Sequence, residues 1–197
     1  MKHLYLHGFN SSPESAKAKI FKKFLSTKDT KNLITPHLPI SPSDSINLLS
    51  KIIDEEDKKL SIIGSSLGGF YAAYLGNKYG IKNVLINPVV PGHLESMKEI
   101  IGEHSNYKSN EKYRFTESHY RELLDLKIND LKHPMNHFCL VQLGDEVLDQ
   151  KLTINYFKNS LIIIEKDGNH QHSEFERYLN LIYDFMTIWS KIVQILY

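Results

Sequence analysis

Ser66, Asp145 and His170 are the residues whose types and spacing could do chemistry together. A serine hydroxyl is a weak nucleophile at neutral pH and needs an imidazole to take its proton. The imidazole in turn needs a carboxylate to fix its tautomer and stabilise its charged form. Ser66 is the centre of Gly64-Ser65-Ser66-Leu67-Gly68, with Leu60-Ser61-Ile62-Ile63 before it and Gly69-Phe70-Tyr71-Ala72-Ala73-Tyr74-Leu75 after it. An apolar run, Gly-x-Ser-x-Gly and a helical run read as a strand, a tight turn and a helix, which push the serine hydroxyl out beyond the strand end. The residues two before and two after the serine must lack bulk, or the helix would collide with the strand it leaves. The serine itself is expected in a strained backbone conformation. Ser65 lacks this frame, because its own neighbours at that spacing are Ile63 and Leu67. No Lys-Ser or Lys-Thr follows the glycines, which sets a Walker phosphate loop aside.

Asp145 follows the apolar run 138–143, and His170 follows the run 161–164 in Asp167-Gly168-Asn169-His170. Each has a rival. Asp149 sits where a helix through Ile154 would start and reads as its N-cap, whereas Asp145 lies just past the strand end. His172 is better placed to open the terminal helix, and Asp167 is too close to His170 to reach round it and reads as a turn former. A fourth segment, Leu4-Tyr5-Leu6-His7-Gly8-Phe9-Asn10, ends its strand in His-Gly. That opens the backbone and leaves the next amide free to point at a substrate oxygen, with His7 supporting the loop. The remaining histidines are expected on the surface or in loops. Cys139 lies in the apolar run His137-Phe138-Cys139-Leu140-Val141 and reads as a buried, inert thiol. One cysteine supplies neither an internal disulfide nor a zinc knuckle, a usage that fits a reducing compartment.

The elements that must position these groups follow from the apolar pattern. Short, continuous apolar runs stand at 4–6, 33–35, 60–63, 84–86, 138–143 and 161–164, as strands buried on both faces do. Helical patterns separate most of them: 15–25, with Ala16, Ile20, Phe21, Phe24 and Leu25, and 43–57, opened by Ser-Pro-Ser-Asp. Strands alternating with helices imply a parallel sheet of about six strands, covered on both faces. In such a sheet the three groups meet only if each follows a strand's carboxyl end, and all three do. The stretch 91–134 breaks the rhythm. It is polar, carries Tyr107, Tyr113, Phe115 and Tyr120, and predicts one helix near 118–127, so it reads as a small cap-like excursion. The chain closes on an apolar stripe of Phe175, Leu179, Ile182, Phe185, Met186, Trp189, Ile192 and Val193, expected to dock on the sheet.

The 197 residues are most simply a single domain, 1–197, with one core. Twenty-four basic against 23 acidic side chains leave a net charge of +1, which points away from nucleic acid and anionic membranes as partners. No apolar stretch approaches the roughly 20 residues of a membrane span. His7-Gly8 interrupts the N-terminal apolar patch too early for a secretory core, so a cytoplasmic protein is expected.

With these residues in place the chain resembles the YqiA-like esterases, small bacterial α/β-hydrolases. The matching blocks are Leu4-Tyr-Leu-His-Gly-Phe-Asn-Ser-Ser-Pro-Glu-Ser-Ala-Lys-Ala18, Ile63-Gly-Ser-Ser-Leu-Gly-Gly-Phe-Tyr-Ala72, Asn87-Pro88-Val89, Gly144-Asp-Glu-Val-Leu-Asp149, and Gly168-Asn169-His170 with Phe175-Glu176. They run in the family's order along nearly the whole chain. Gln171-His172 departs from the small or aromatic residues usual there. The resemblance implies a compact three-layer α/β-hydrolase fold lacking the two leading strands of larger members. It implies hydrolysis of acyl esters or thioesters, small-molecule substrates, with no metal or cofactor required. By position it makes Ser66 the nucleophile, Asp145 the acid and His170 the base, with the Phe9 and Leu67 amides as the oxyanion hole. Two other readings share the fold: a binding module that has lost its chemistry, with 91–134 as a partner surface, and an acyltransferase or lactonase using the same triad.

Overall fold

The six apolar runs become the six strands of one parallel sheet. A computed structural model describes residues 1–28, 32–106 and 111–195, with side chains as far as 187. Tyr107 and the side chains of Trp189, Ile192 and Val193 lie outside this description. In chain order the strands are β1 (Lys2–Leu6), β2 (Leu33–Ile34), β3 (Leu60–Ser65) and β4 (Asn83–Ile86). Beyond a separate antiparallel hairpin of β5 (Gly102–Ser105) and β6 (Lys112–Phe115) come β7 (His137–Gln142) and β8 (Leu161–Glu165). The sheet order is β2-β1-β3-β4-β7-β8, with every pairing parallel.

Successive side chains on a strand point to opposite faces, and here both faces are apolar. Leu4, Leu6, Ile62, Leu85, Cys139 and Val141 join one core cluster, while Tyr5, Ile63, Val84, Ile86, Phe138 and Leu140 join another. Helices α1 (Ala16–Ser26) and α6 (Leu179–Ile195) cover the second face through Phe21, Leu25, Leu179, Ile182 and Met186. Helices α2 (Pro42–Glu55) and α3 (Leu67–Tyr79) cover the first through Ile46, Leu49, Ile53, Phe70 and Leu75. The result is the three-layer α/β-hydrolase architecture.

Local sequence sets the helix boundaries. Ser15 and Ser41 cap α1 and α2 by accepting from Ala18 N and Asp44 N, and Pro42 occupies the first turn of α2. Helix α3 is apolar nearly all round because it lies in the core, and it ends at Gly80 in the left-handed conformation. The face of α1 differs from the expected one: Ala16 is exposed and Lys17 is buried in its stead.

The 91–134 excursion holds two 3-10 turns (Pro91–His93 and Ser96–Ile100), the β5–β6 hairpin, and α4 (Glu117–Asp125), close to the expected 118–127. Its Leu94, Met97, Phe115, Tyr120 and Leu123 pack into the same cluster as α2 and α3. Glu122 fastens α4 to the start of α2, accepting from Ser41 Oγ at 2.7 Å and Ser43 N at 3.0 Å. After β7, α5 (Gln150–Tyr156) and β8 complete the sheet; a 3-10 turn (Phe175–Tyr178) then leads into α6.

The histidines depart from expectation. His3 and His137 are strand residues with fully buried rings, held by Ser61 Oγ (2.7 Å) and Asn83 Oδ1 (2.8 Å), and His93 is buried too. A short polar partner on the neighbouring strand is enough to seat a neutral imidazole in a core. His172 does not open the terminal helix. It sits three residues before the 3-10 turn, buried beneath Phe175 and Tyr178. Among the described residues no helix is long and apolar enough to cross a membrane.

Candidate active site

The chain leaves β1 outward to β2 and returns on the other side of β1 as β3, so the strand order reverses between β1 and β3. The crevice beyond the carboxyl ends at such a switch point is where open parallel sheets bind ligands. Ser66 follows β3 there, and the loop 7–11 follows β1.

Ser66 has φ 55° and ψ −122°, a conformation that favours glycine, and it stands as N-cap of α3. Gly64 has the steric reason the sequence suggests, the helix passing close to the strand it leaves, whereas Gly68 is required by the neighbouring strand β1. A Cβ on Gly64 would lie 2.2 Å from Gly68 O, and one on Gly68 would lie 2.2 Å from Leu6 O. His170 Nε2 lies 3.1 Å from Ser66 Oγ. His170 Nδ1 lies 3.0 and 2.9 Å from the two carboxylate oxygens of Asp145. The Asp145 side chain has no exposure, while the His170 ring keeps 15 %, so the acid is shielded and the imidazole edge is reachable.

Asp145 is held as an anion. Burial alone would raise its pKa, but the bond from His170 and the amides of Leu148 (2.9 Å) and Val147 (2.8 Å) outweigh it, and the net direction is downward. Gln150 Nε2 donates to its second oxygen at 2.7 Å. Asp149 caps α5 by accepting from Lys151 N and takes no part in this cluster.

On the β1 side, Gly8 packs against the serine: a Cβ there would meet Ser66 Cβ at 3.2 Å. Among the described residues no acceptor lies on the amide of Phe9 or of Leu67, the two expected donors. His7 braces the loop. Its Nε2 accepts from Leu38 N at 3.3 Å, which leaves Nδ1 as the donor to Gly8 O at 3.0 Å. Burial pushes the ring's pKa down, so His7 is a neutral strut. The β5–β6 hairpin adds a second brace. Tyr113 donates to Asn10 Oδ1, Asn106 Nδ2 donates to Ser11 O at 2.9 Å, and the Phe9 ring packs edge-on against His104, Tyr113 and Phe115.

Sequence reasoning assigned no role to the residues that hold the His170 loop. Asn87, just past β4, donates from Nδ2 to Asn169 O (2.9 Å) and His170 O (3.2 Å), and accepts from Gln142 N (2.9 Å). Gln142, the last residue of β7, accepts from the Asn169 and Ser173 amides and donates to Ser173 O. Gly168, at φ 97°, passes so close that a Cβ would overlap Gln142 Oε1. Glu146 accepts from the His170 amide at 2.9 Å. The available signal was a polar residue ending an otherwise apolar strand, at Asn87 and Gln142. Cys139 is fully buried, and burial pushes its thiol pKa up.

A cleft of ≈ 400 Å³ opens over Ser66 and His170, walled by Gly8, Phe9, Ser11 and the start of α1. A smaller cavity of ≈ 80 Å³ lies beyond the Gly8–Phe9 loop, lined by Leu38, Leu67, Tyr71 and Tyr113. Among the described residues no group of three or more His, Cys, Asp or Glu side chains is arranged to hold a metal ion.

Comparison with solved structures gives the same architecture. Mouse alpha/beta hydrolase domain-containing protein 10 superposes with TM-score 0.70 at 16% identity, covering 98% of this chain and 90% of its own. A monoacylglycerol lipase of Paleococcus ferrophilus superposes with TM-score 0.69 at 14% identity, covering 93% and 94%. In sequence, a UPF0227 protein of Serratia proteamaculans is 25% identical over 94% of this chain and 98% of its own length. One from Yersinia enterocolitica is 26% identical over 94% and 98%. The family model of UPF0227, described as an uncharacterised protein family, matches residues 2–187. With the match running from β1 into α6, the chain belongs to the UPF0227 family, the YqiA-like group its motifs resemble.

Proposed function

We propose that this protein is a serine hydrolase that cleaves acyl esters or acyl thioesters through an acyl-enzyme intermediate. The observation that carries the reading is the relay Ser66 Oγ to His170 Nε2 at 3.1 Å and His170 Nδ1 to Asp145 at 2.9 Å, set on a strained turn. His170 takes the Ser66 proton as Oγ attacks the acyl carbon, and Asp145 stabilises the imidazolium so formed. The amides of Phe9 and Leu67 receive the developing oxyanion, each worth roughly 3 kcal/mol in the transition state. His170 then protonates the leaving alcohol or thiol. Water, activated by the same imidazole, releases the acid and regenerates Ser66. The lipase among the structural neighbours acts on acyl esters, which supports this substrate class.

A fluorophosphonate probe is the direct test. Labelling of Ser66, together with hydrolysis of a simple acyl ester that Ser66→Ala abolishes, is the expected result. A folded protein that stays unlabelled and inert would mark a binding module instead.

A further inference from the structure

The cleft above Ser66 is lined by charged side chains of both signs, Lys17 and Glu146. One wall is the start of α1, where Ala16 and Lys17 line the space. The first amides of a helix have no intrahelical partner and carry the positive end of its dipole. Helix α1 has eleven residues, no acidic side chain in its first turn and an uncharged cap, Ser15, which accepts from Ala18 N. Lys17 is the independent second observation. It is only 8 % exposed, yet among the described residues no carboxylate pairs with it and no hydrogen bond holds it.

The stem of Lys17 is covered, but its Nζ is not among the buried polar atoms that lack a partner, so the ammonium meets solvent, where an anion in the cleft could take the place of water. Burial brings its pKa down to about 8, which leaves the ammonium charged at neutral pH. Glu146 also lines the cleft, where it accepts from the His170 amide at 2.9 Å, a bond that favours its charged form. His172, whose ring nitrogens are both unpartnered, is held neutral by burial and by the charge of Lys17, its pKa lowered to about 4.

We propose that Lys17 and the α1 N-terminus form an anion subsite for the leaving group, so that the preferred substrates are esters or thioesters whose alcohol or thiol portion carries a carboxylate or phosphate. This rests on the hydrolase reading above. The side is set by His170, which must stand beside the leaving atom in order to protonate it. The cleft that contains His170 is the one that contains Lys17, whereas the smaller cavity beyond the Gly8–Phe9 loop is lined by neither.

The test compares 4-acetoxybenzoate with 4-acetoxybenzamide, which share an acetyl group and differ in the charge of the leaving phenol; 4-acetoxyphenyl phosphate adds the phosphate arm. The wild-type protein is expected to prefer an anionic ester by at least tenfold in kcat/KM. Lys17→Gln should collapse that ratio about tenfold, and Lys17→Arg should restore part of it. Because Lys17 is buried, a second measurement uses the wild-type protein alone. There 4-hydroxybenzoate should inhibit competitively at least fivefold more tightly than 4-hydroxybenzamide. The relative size of the carboxylate and phosphate preferences identifies the anion. Equal kcat/KM for charged and neutral esters, or a ratio that Lys17→Gln leaves unchanged, would overturn the subsite while leaving the hydrolase reading intact. A preference found only when the charge is on the acyl side, in phenyl hydrogen glutarate against phenyl pentanoate, would overturn it as well. Failure of all these esters to react would bring down the hydrolase reading, and the subsite with it.

Discussion

Ser66 holds a backbone conformation that costs of order 1–3 kcal/mol in a residue with a side chain. Replacing it with glycine therefore separates stability from activity. Ser66→Gly should unfold at higher denaturant, by about 1 kcal/mol, while hydrolysis disappears; an unfolding midpoint at or below wild type would show that the turn is not strained. Asp145→Asn tests another residue. An amide in that place can present its NH₂ to His170 Nδ1 and hold the wrong tautomer, so kcat should drop by roughly 10⁴-fold with the fold retained. Steady-state kinetics beside a circular dichroism spectrum checks both halves of that statement.

At the scale of elements, the elbow depends on the close passage of α3 over β1. Gly68→Ala would put a methyl group 2.2 Å from the Leu6 carbonyl, against backbone that cannot turn aside. The expected cost lies at the top of the roughly 1–3 kcal/mol range for overpacking, read as a lower midpoint in urea. Asn87 acts differently. It ties β4 to the His170 loop through two carbonyls, so Asn87→Ala should lower kcat by about tenfold with KM little changed, as a misplaced base does. A matching rise in KM would assign Asn87 to substrate binding instead.

These elements were unequally legible. The inner sheet strands could be read because burial on both faces writes an apolar run, as in Val84-Leu85-Ile86, and the edge strands β2 and β8 because they are apolar though only partly covered. The elbow could be read because its demand for glycine is local. The β5–β6 hairpin could not: Gly102–Ser105 and Lys112–Phe115 are short, mostly polar and turned partly to solvent, so they carry little alternation. His3 and His137 were misplaced because their seats depend on Ser61 and Asn83 across a strand pairing that only the fold supplies. Lys17 has the same origin. Its burial cannot be read from its helical position in α1, because it depends on segments distant in sequence, such as the one that brings His172 near its charge.

For the whole molecule, buried neutral imidazoles set a limit on the acid side. His3, His137 and His172 have pKa values lowered to about 4, chiefly by burial, against 6.5 for a free side chain. The unfolded chain binds more protons than the folded one between those values, so stability is full above about pH 6.5 and is lost as pH falls toward 4. At pH 5 each of the three costs about 2 kcal/mol. Tm should therefore fall by many degrees between pH 7 and pH 5, and replacing His137 with Gln should flatten that slope. A Tm independent of pH over this interval would mean that the rings are charged or solvated in the native state. Activity profiles on the acid side should be read only where the protein is still folded.

Ser66 and His170 lie 104 positions apart and His170 and Asp145 25, after strands β3, β8 and β7 of one sheet. No segment shorter than 66–170 contains all three residues. Pairings across such distances form late, after the loop-closure entropy has been met. On the proposed hydrolase reading, reactivity at Ser66 would serve as a clock for the final stage of folding. In a refolding experiment, covalent labelling by a fluorophosphonate should begin only after helical signal has returned, and the interval between them measures the docking of the last strands.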